Sequence, residues 1–233
     1  MEYMDEAIAQ ICAECYATVE PILFITGKGN FRDAIAKEKK YKGNRKKEKP
    51  FHYANLKAYI QAAYDCRSVD GFEADDLLAI EQTKRIKDRD TIICSRDKDL
   101  RIQEGYHYSW EVAGQPRFGP AWVDELGVLQ LKRGGKKIFG TGMRFFYSQL
   151  LTGDNTDNIP GLGGYGPIKT FNALKGCNTT DELFEAVREL YRAKYEDDWA
   201  EKMLERGRCL WMTKYTDDEG GPVLWEIPEM TNE

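Results

Sequence analysis

The segment from Gly71 to Leu100 most constrains the fold, because it places acidic residues at two corners of a helix–strand pattern. An apolar-periodic run begins near residue 73, and a short β-rich run, 91–95, follows it. In an open α/β sheet, binding sites form outside the carboxyl ends of the strands. We therefore expect an α/β fold with an acidic site at this edge. The corners carry five carboxylates: Glu73, Asp75, Asp76, Asp97 and Asp99.

Two explanations of these acids are open. Acidic residues near a helix N-terminus are ordinary, because the exposed N–H groups and the helix dipole favour negative charge there. That explanation accounts for one or two of them, but Glu73 and Asp76 share a helix face on which like charges repel. Asp97 and Asp99 are two residues apart, so on an extended chain they point the same way. A bound cation is the second explanation.

A third acidic pair, Asp154 and Asp157, favours the cation. Seven carboxylates converging on one cleft could not all stay ionised without positive charge. Oxygen ligands without Cys or His select Mg²⁺ or Mn²⁺. Paired sites with metals roughly 3.5–4 Å apart hydrolyse phosphodiesters. A two-metal site is therefore predicted ahead of helix caps and solvated turns.

Composition narrows the class of protein. The 233 residues can form one good core and a smaller appended unit, and 42% hydrophobic content is typical of a globular chain. No apolar run approaches the ~20 residues of a membrane span, and no signal-peptide pattern is present, so we expect a cytoplasmic protein without membrane contact. The six cysteines are scattered, which favours reduced thiols over disulfides. Cys12 and Cys15 form a CxxC without a second pair, which favours two helix thiols over zinc.

A basic segment, 28–49, stands out in a chain of net charge −5. It has ten basic residues against three acidic ones. A solvated, mobile loop is one explanation; a surface that contacts phosphates, with Tyr41 and Phe31 stacking on a base, is the other. The basic residues are Lys28, Arg32, Lys37, Lys39, Lys40, Lys42, Arg45, Lys46, Lys47 and Lys49.

A Gly-rich turn, 158–167, follows the third acidic pair and opens a predicted helix, 168–174. Glycines let backbone N–H groups approach a phosphate, and the helix N-terminus adds partial positive charge. Phosphate contact is therefore predicted here. The other predicted elements are helices over 1–20, 51–69, 145–152 and 180–213, strands over 22–25, 106–110 and 130–132 in one sheet, and a strand or packed tail over 223–227.

These motifs, in this order, resemble the 5′ nuclease superfamily of flap endonucleases and 5′–3′ exonucleases, particularly its bacteriophage-type members. The resemblance extends from about Pro21 to nearly the end of the chain. It implies a PIN-like α/β core over 1–140, with a mostly parallel sheet flanked by helices, and a helix-hairpin-helix-type DNA-binding region over 141–233. The motifs are Tyr41-Lys42-Gly43-Asn44-Arg45, Glu73-Ala74-Asp75-Asp76, Asp97-Lys98-Asp99 and the run from Gly153 to Gly161.

The resemblance also implies roles for individual residues. Lys42 and Arg45 match the basic pair that contacts the scissile phosphate, Tyr41 matches a nearby aromatic residue, and Arg32 matches a basic residue after the second strand. The glycines and Lys169 match the turn that grips duplex DNA around a K⁺ ion held by carbonyls. The metal ligands are implied to be Glu73, Asp75, Asp76, Asp97, Asp99, Asp154 and Asp157, and the glycines of the turn are Gly161, Gly163, Gly164 and Gly166.

The sequence departs from the family at two places. The family's first strand, which ends in a metal-binding Asp, has no counterpart before residue 1, and Gly27 stands where a second family Asp follows the next strand. We expect a missing N-terminal segment, or a relative that binds without cleaving.

The expected activity is Mg²⁺- or Mn²⁺-dependent hydrolysis of DNA at duplex ends and 5′ flaps, with RNA–DNA hybrids as further substrates. The alternatives are a non-catalytic, structure-specific DNA-binding protein and, more weakly, a PIN-type ribonuclease.

Overall fold

A computed structural model describes residues 1–45 and 48–228, so Lys46 and Lys47 of the basic segment and residues 229–233 of the predicted helical region lie outside it. The fold mixes helices and strands, as predicted. The helices are α1 Glu2–Glu14, α2 Arg32–Ile35, α3 Tyr53–Ala63, α4 Ala74–Lys84, α5 Gly142–Thr152, α6 Pro167–Leu174, α7 Thr180–Tyr195 and α8 Trp199–Leu210, with short 3₁₀ helices at Asp99–Ile102 and Glu196–Asp198. The strands are β1 Ile22–Phe24, β2 Asp65–Arg67, β3 Ile92–Cys94, β4 Gly105–Ser109, β5 Phe118–Val123, β6 Leu129–Lys132 and β7 Lys137–Gly140.

The chain forms two compact units. Unit 1 contains Met1–Asn30, Lys46–Leu100 and Gly105–Trp122, and unit 2 contains Phe31–Arg45, Arg101–Glu104 and Val123–Glu233. The domain boundary at residue 140 stays a prediction. Among the helices that the structure describes, none has the length and apolar character to cross a membrane.

Unit 1 is built on short parallel strand pairs. β1 pairs with β2 in parallel, with Leu23 opposite Cys66, and β3 pairs with β4 in parallel, with Ile93 opposite His107. β5 continues the sheet beyond β4. Helix α4 packs on both β1 and β3, and its inner face is apolar, with Ala79 fully buried. Parallel strands covered by a helix are the arrangement that the apolar runs predicted.

Several predicted elements differ from the structure. The helix expected over 1–20 ends at Glu14, and the one expected over 180–213 is divided into α7 and α8 by the 3₁₀ helix Glu196–Asp198. The helix expected over 51–69 ends earlier, because Tyr64 adopts an extended backbone (φ −132°, ψ 162°) and the chain continues as β2. The strands expected in one sheet lie in three: β1 pairs with β2, β4 lies between β3 and β5, and the strand expected over 130–132 is β6, which pairs with β7 as an antiparallel hairpin in unit 2. A four-residue turn, 133–136, joins these two strands.

The core of unit 2 forms around α5. Phe146, Leu150 and Leu151 of α5 are fully buried, and α7 and α8 pack against this helix. Burying each large apolar side chain stabilises the fold by about 1.5–3 kcal/mol. The C-terminal stretch 223–227 is a packed tail and not a strand, because the Trp225 ring lies against Gly207 of α8 and 5.4 Å from Phe146.

Candidate functional site

The first acidic corner, in unit 1, forms the start of α4. Glu73 is the N-cap, and its backbone N–H donates to Asp76 Oδ2 at 3.2 Å, while the Glu73 side chain accepts from the backbone N–H of Asp76. This capping box satisfies two donors that the first helical turn leaves unpaired. Asp76 is fully buried, and Asp75 lies beside it in the same turn. Helix capping thus accounts for the close approach of Glu73 and Asp76, which the sequence alone had attributed to a cation.

The second acidic corner, also in unit 1, follows β3. The backbone N–H of Asp97 donates to Ser95 Oγ at 3.1 Å, and Asp97 Oδ1 accepts from the backbone N–H of Asp99 at 2.9 Å. The Asp97 side chain is exposed, and Asp99 pairs with Lys98 at 2.6 Å. Both carboxylates therefore lie at the carboxyl end of a parallel strand, as the sequence pattern predicts.

The third acidic pair shapes a tight loop in unit 2. Asp154 is buried, and its Oδ1 accepts from the backbone N–H groups of Thr156 at 2.6 Å and Asp157 at 3.4 Å. The backbones of Asp154 and Ile159 exchange two hydrogen bonds, at 2.9 and 2.8 Å, which close the loop. This closure holds the side chain of Asp157 in a defined position.

Residues of the basic segment converge on Asp157 within unit 2. Tyr41 Oη donates to Asp157 at 2.9 Å, Arg45 Nη2 pairs with Asp157 Oδ1 at 2.5 Å, and Lys42 Nζ lies 3.8 Å from Oδ2. The backbone is joined as well, since Lys42 N–H donates to Asp157 O at 2.9 Å and Arg45 Nε to Thr156 O at 3.2 Å. Tyr41 is only 5% exposed, so it positions Asp157 and does not present a ring to the solvent.

Arg32 has a different place from the one predicted. It is fully buried, and it donates from Nε to Cys209 O at 3.1 Å and from Nη2 to Trp211 O at 2.5 Å. Carbonyls at the end of α8 have no partner within the helix, so a guanidinium there satisfies them. Contact between Arg32 and DNA would require the side chain to leave these partners.

Arg206 is a positioning residue that sequence reasoning missed. It is 2% exposed, it pairs with Glu38 of the basic segment at 2.9 Å, and its Nη1 donates to Gly161 O at 3.3 Å. It therefore ties the basic segment to the start of the Gly-rich turn. The available signal was its location among the apolar positions of α8, between Met203 and Leu210.

The glycines of the turn have two different roles. A Cβ atom at Gly161 would lie 2.4 Å from the backbone of Thr152, so Gly161 is required for backbone packing. Gly163, Gly164 and Gly166 face open space, which leaves their backbone accessible. Lys169, in the first turn of α6, places its Nζ 4.0 Å from the ring centre of Tyr165. An accessible backbone beside a cation at a helix N-terminus suits an anion.

The carboxylates of the three acidic pairs and corners supply oxygen donors, which are the ligands that hard divalent cations prefer. Across residues 1–45 and 48–228, however, no three His, Cys, Asp or Glu side chains are gathered closely enough to hold a metal ion. The metal ligand set stays a prediction, and we derive no catalytic step from it.

Gly27 follows β1 and has a structural explanation. A Cβ atom at this residue would lie 2.0 Å from the carbonyl oxygen of Val69, closer than atoms can approach. The local backbone therefore excludes an aspartate here.

Comparisons with known proteins give distant relatives. No family model matches the chain. DNA polymerase I of Bacillus subtilis is 28% identical over 184 residues, which cover 76% of this chain and 20% of the relative. A 5′-3′ exonuclease of Mycoplasma pneumoniae is 28% identical over 127 residues, 53% of this chain and 41% of the relative. The chain thus spans less than half the length of these relatives.

Solved structures agree with the sequence relatives. The T5 5′-exonuclease with bound zinc has a TM-score of 0.58 and 16% identity, covering 88% of this chain and 78% of that one. A bacteriophage T5 flap endonuclease variant in complex with DNA and metal ions has a TM-score of 0.52 and 15% identity, covering 88% and 89%. The predicted PIN-like α/β fold is confirmed. The chain is thus similar in sequence to DNA polymerase I and a 5′-3′ exonuclease, and its fold is that of the T5 5′-exonuclease.

Proposed function

We propose that this chain is a divalent-metal-dependent 5′ nuclease that hydrolyses phosphodiester bonds in DNA at duplex ends and 5′ flaps. The observation that carries the proposal is the convergence of Lys42 and Arg45 on Asp157, which is 112 residues beyond Arg45 in the chain. Folding thus gathers two cationic side chains and a carboxylate at one loop. Cations beside a preorganised carboxylate are typical of sites that stabilise the charge developing on a phosphate.

Each group has a proposed role. Lys42 and Arg45 pair with the oxygens of the scissile phosphate, and Arg45 is suited to this because its guanidinium can donate two parallel hydrogen bonds. Tyr41 and Arg206 are positioning residues. A bound Mg²⁺ or Mn²⁺ supplies Lewis acidity and lowers the pKa of water. The residues proposed to hold two such ions are Glu73, Asp75, Asp76, Asp97, Asp99, Asp154 and Asp157.

DNA is the proposed partner because basic side chains and an accessible turn backbone suit phosphates. The duplex backbone contacts the open part of the Gly-rich turn, where Gly163, Gly164 and Gly166 leave space and Lys169 supplies charge. A K⁺ ion held by carbonyls of the turn and RNA–DNA hybrids as additional substrates belong to the same proposal.

The test is cleavage of 5′-labelled flap and blunt duplexes with Mg²⁺, Mn²⁺ or EDTA, with DNA binding measured in the same tubes. Asp97→Asn is expected to lower the cleavage rate by more than the roughly 10–100-fold typical of an outer-shell partner, and to leave DNA binding intact. Lys42→Ala is expected to weaken both. Asp88→Asn, an exposed acid outside the predicted set, is the control. Cleavage by Asp97→Asn at the parent rate would refute the site assignment.

The second candidate is a non-catalytic, structure-specific DNA-binding protein. It is favoured by Gly27, where the backbone excludes a family metal ligand, and by the lack of a three-acid group in the described part of the chain. Binding without metal-dependent cleavage in the same assay would select it. Cleavage of RNA alone would instead select a PIN-type ribonuclease.

A further inference from the structure

The β6–β7 hairpin lies in a part of the chain without acids. From Leu126 to Thr152 the sequence contains no Asp or Glu, although the whole chain has a net charge of −5. Four cations lie at the end of the hairpin, and all four are exposed. They are Lys132, Arg133, Lys136 and Lys137. This concentration of one sign of charge indicates a surface for an anionic partner.

The arrangement of these four charges destabilises the hairpin. Lys132 and Lys137 are directly opposite each other in the strand register, and like charges at opposed positions destabilise a sheet. Arg133 has a left-handed backbone (φ 53°), which a non-glycine residue adopts at a cost. A polyanion bound to this end would relieve the repulsion.

The hairpin end packs against the helix that follows the Gly-rich turn. A Cβ atom at Gly135 would lie 2.9 Å from Ile168 Cδ1, so the turn of the hairpin touches the first residues of α6. Lys169 is the next residue of that helix. The turn of the hairpin therefore lies beside the start of α6, which follows directly on the open Gly166.

We propose that the end of the β6–β7 hairpin is a second contact for the sugar–phosphate backbone of duplex DNA, beside the Gly-rich turn; this inference rests on the proposed function. The structure favours a duplex over a single strand, because single-strand sites expose aromatic rings for base stacking. The residues from 132 to 137 include no aromatic residue, and Phe139, the next aromatic residue along the chain, has Lys132 Nζ 5.4 Å from its ring centre. Contact through lysine and arginine to phosphate is independent of base sequence.

The test compares two double variants with the same change in net charge. Lys136→Gln with Lys137→Gln alters the hairpin, and Lys87→Gln with Lys194→Gln removes two exposed lysines elsewhere. Binding to a blunt duplex and to single-stranded oligo(dT) is measured over a range of salt concentrations without divalent metal. Each phosphate contact contributes about 0.9 to the magnitude of the negative slope of log K against log salt on B-DNA. The hairpin variant, which lacks two contacts, should therefore have a slope smaller in magnitude by about 1.8. It should also bind roughly tenfold more weakly at low salt. Lys136→Arg with Lys137→Arg should keep the parent slope.

The outcomes separate this inference from the proposed function. If the parent protein binds duplex DNA and the hairpin variant matches the control variant in affinity and slope, the hairpin assignment is wrong and the proposed function stands. A loss confined to oligo(dT), or an equal loss in both variants, also overturns it. If the parent protein does not bind DNA at all, the proposed function fails and the hairpin assignment fails with it.

Discussion

Gly27 shows how one residue restricts what its site can hold. Its backbone N–H donates to Phe72 O at 3.2 Å, and the place of its absent Cβ is taken by the carbonyl of Val69. A clash with backbone cannot be relieved by rotating a side chain. A carboxylate at residue 27 therefore requires the chain around Val69 to move, whatever it would gain in metal binding.

We expect Gly27→Ala to lower the free energy of unfolding by about 1–3 kcal/mol, the range for a group forced into occupied space. Gly163→Ala, where the added Cβ meets nothing within 4 Å, is the matched control and should stay within about 0.5 kcal/mol of the parent. Urea denaturation of both variants measures the difference. Equal stability of the two variants would show that the backbone at residue 27 adapts.

At the scale of elements, α1 depends on a few polar contacts. It contains no fully buried residue, and Asp5 accepts from Tyr59 Oη at 2.7 Å and Tyr64 Oη at 2.5 Å. These tyrosines lie in α3 and at its end. The hydrogen bonds from Tyr64 and then Tyr59 lower the pKa of Asp5, and the same contact raises the pKa of Tyr64 to about 12.

The stability that α1 gains from Asp5 should depend on pH. Because the pKa of Asp5 is lower in the folded chain, its contribution is fully present above the unfolded value of about 3.9 and is lost as pH falls through the folded value. Thermal unfolding of the parent and Asp5→Asn between pH 6 and pH 2.5 measures it. The parent should be the more stable at pH 6, and the difference should shrink towards low pH. Asp88→Asn should show no such trend; a constant difference for Asp5→Asn would contradict the assignment.

Elements whose signals are local were predictable from the sequence. The apolar run at β1 and the Gly-Pro start of α6 act within a few residues, and both elements were expected near their observed positions. Strand β2 was not predicted, because its three residues are too few to show an alternation of apolar and polar side chains. Its pairing with β1 is decided by tertiary contacts. The pairing of Lys42 with Asp157 was not predicted, because the family resemblance implied a phosphate contact for Lys42 and a metal ligand for Asp157. The burial of Arg32 depends on carbonyls almost 180 residues away, for which the sequence carries no local signal.

At the scale of the whole molecule, metal binding should raise the free energy of unfolding. A ligand that binds only the folded chain raises the free energy of unfolding by about 2.7 kcal/mol at 100 times its dissociation constant. We expect Mn²⁺ to raise the unfolding temperature of the parent, and Asp75→Asn with Asp97→Asn to abolish most of this rise. Asp88→Asn with Asp218→Asn removes the same charge from exposed positions, and this double variant should retain the rise in unfolding temperature. Equal shifts in both double variants would mean that the ions bind without a defined site.

The ion pairs of Lys42 and Arg45 with Asp157 affect how a substrate would bind. Asp157 already pairs with both cations, so under the proposed function it occupies the place that a phosphate of the substrate would take. A phosphate that pairs with both cations competes with Asp157 for them, so docking of the strand and release of the carboxylate become one exchange. On that proposal, Asp157 would keep its two cationic partners until a phosphate replaced it.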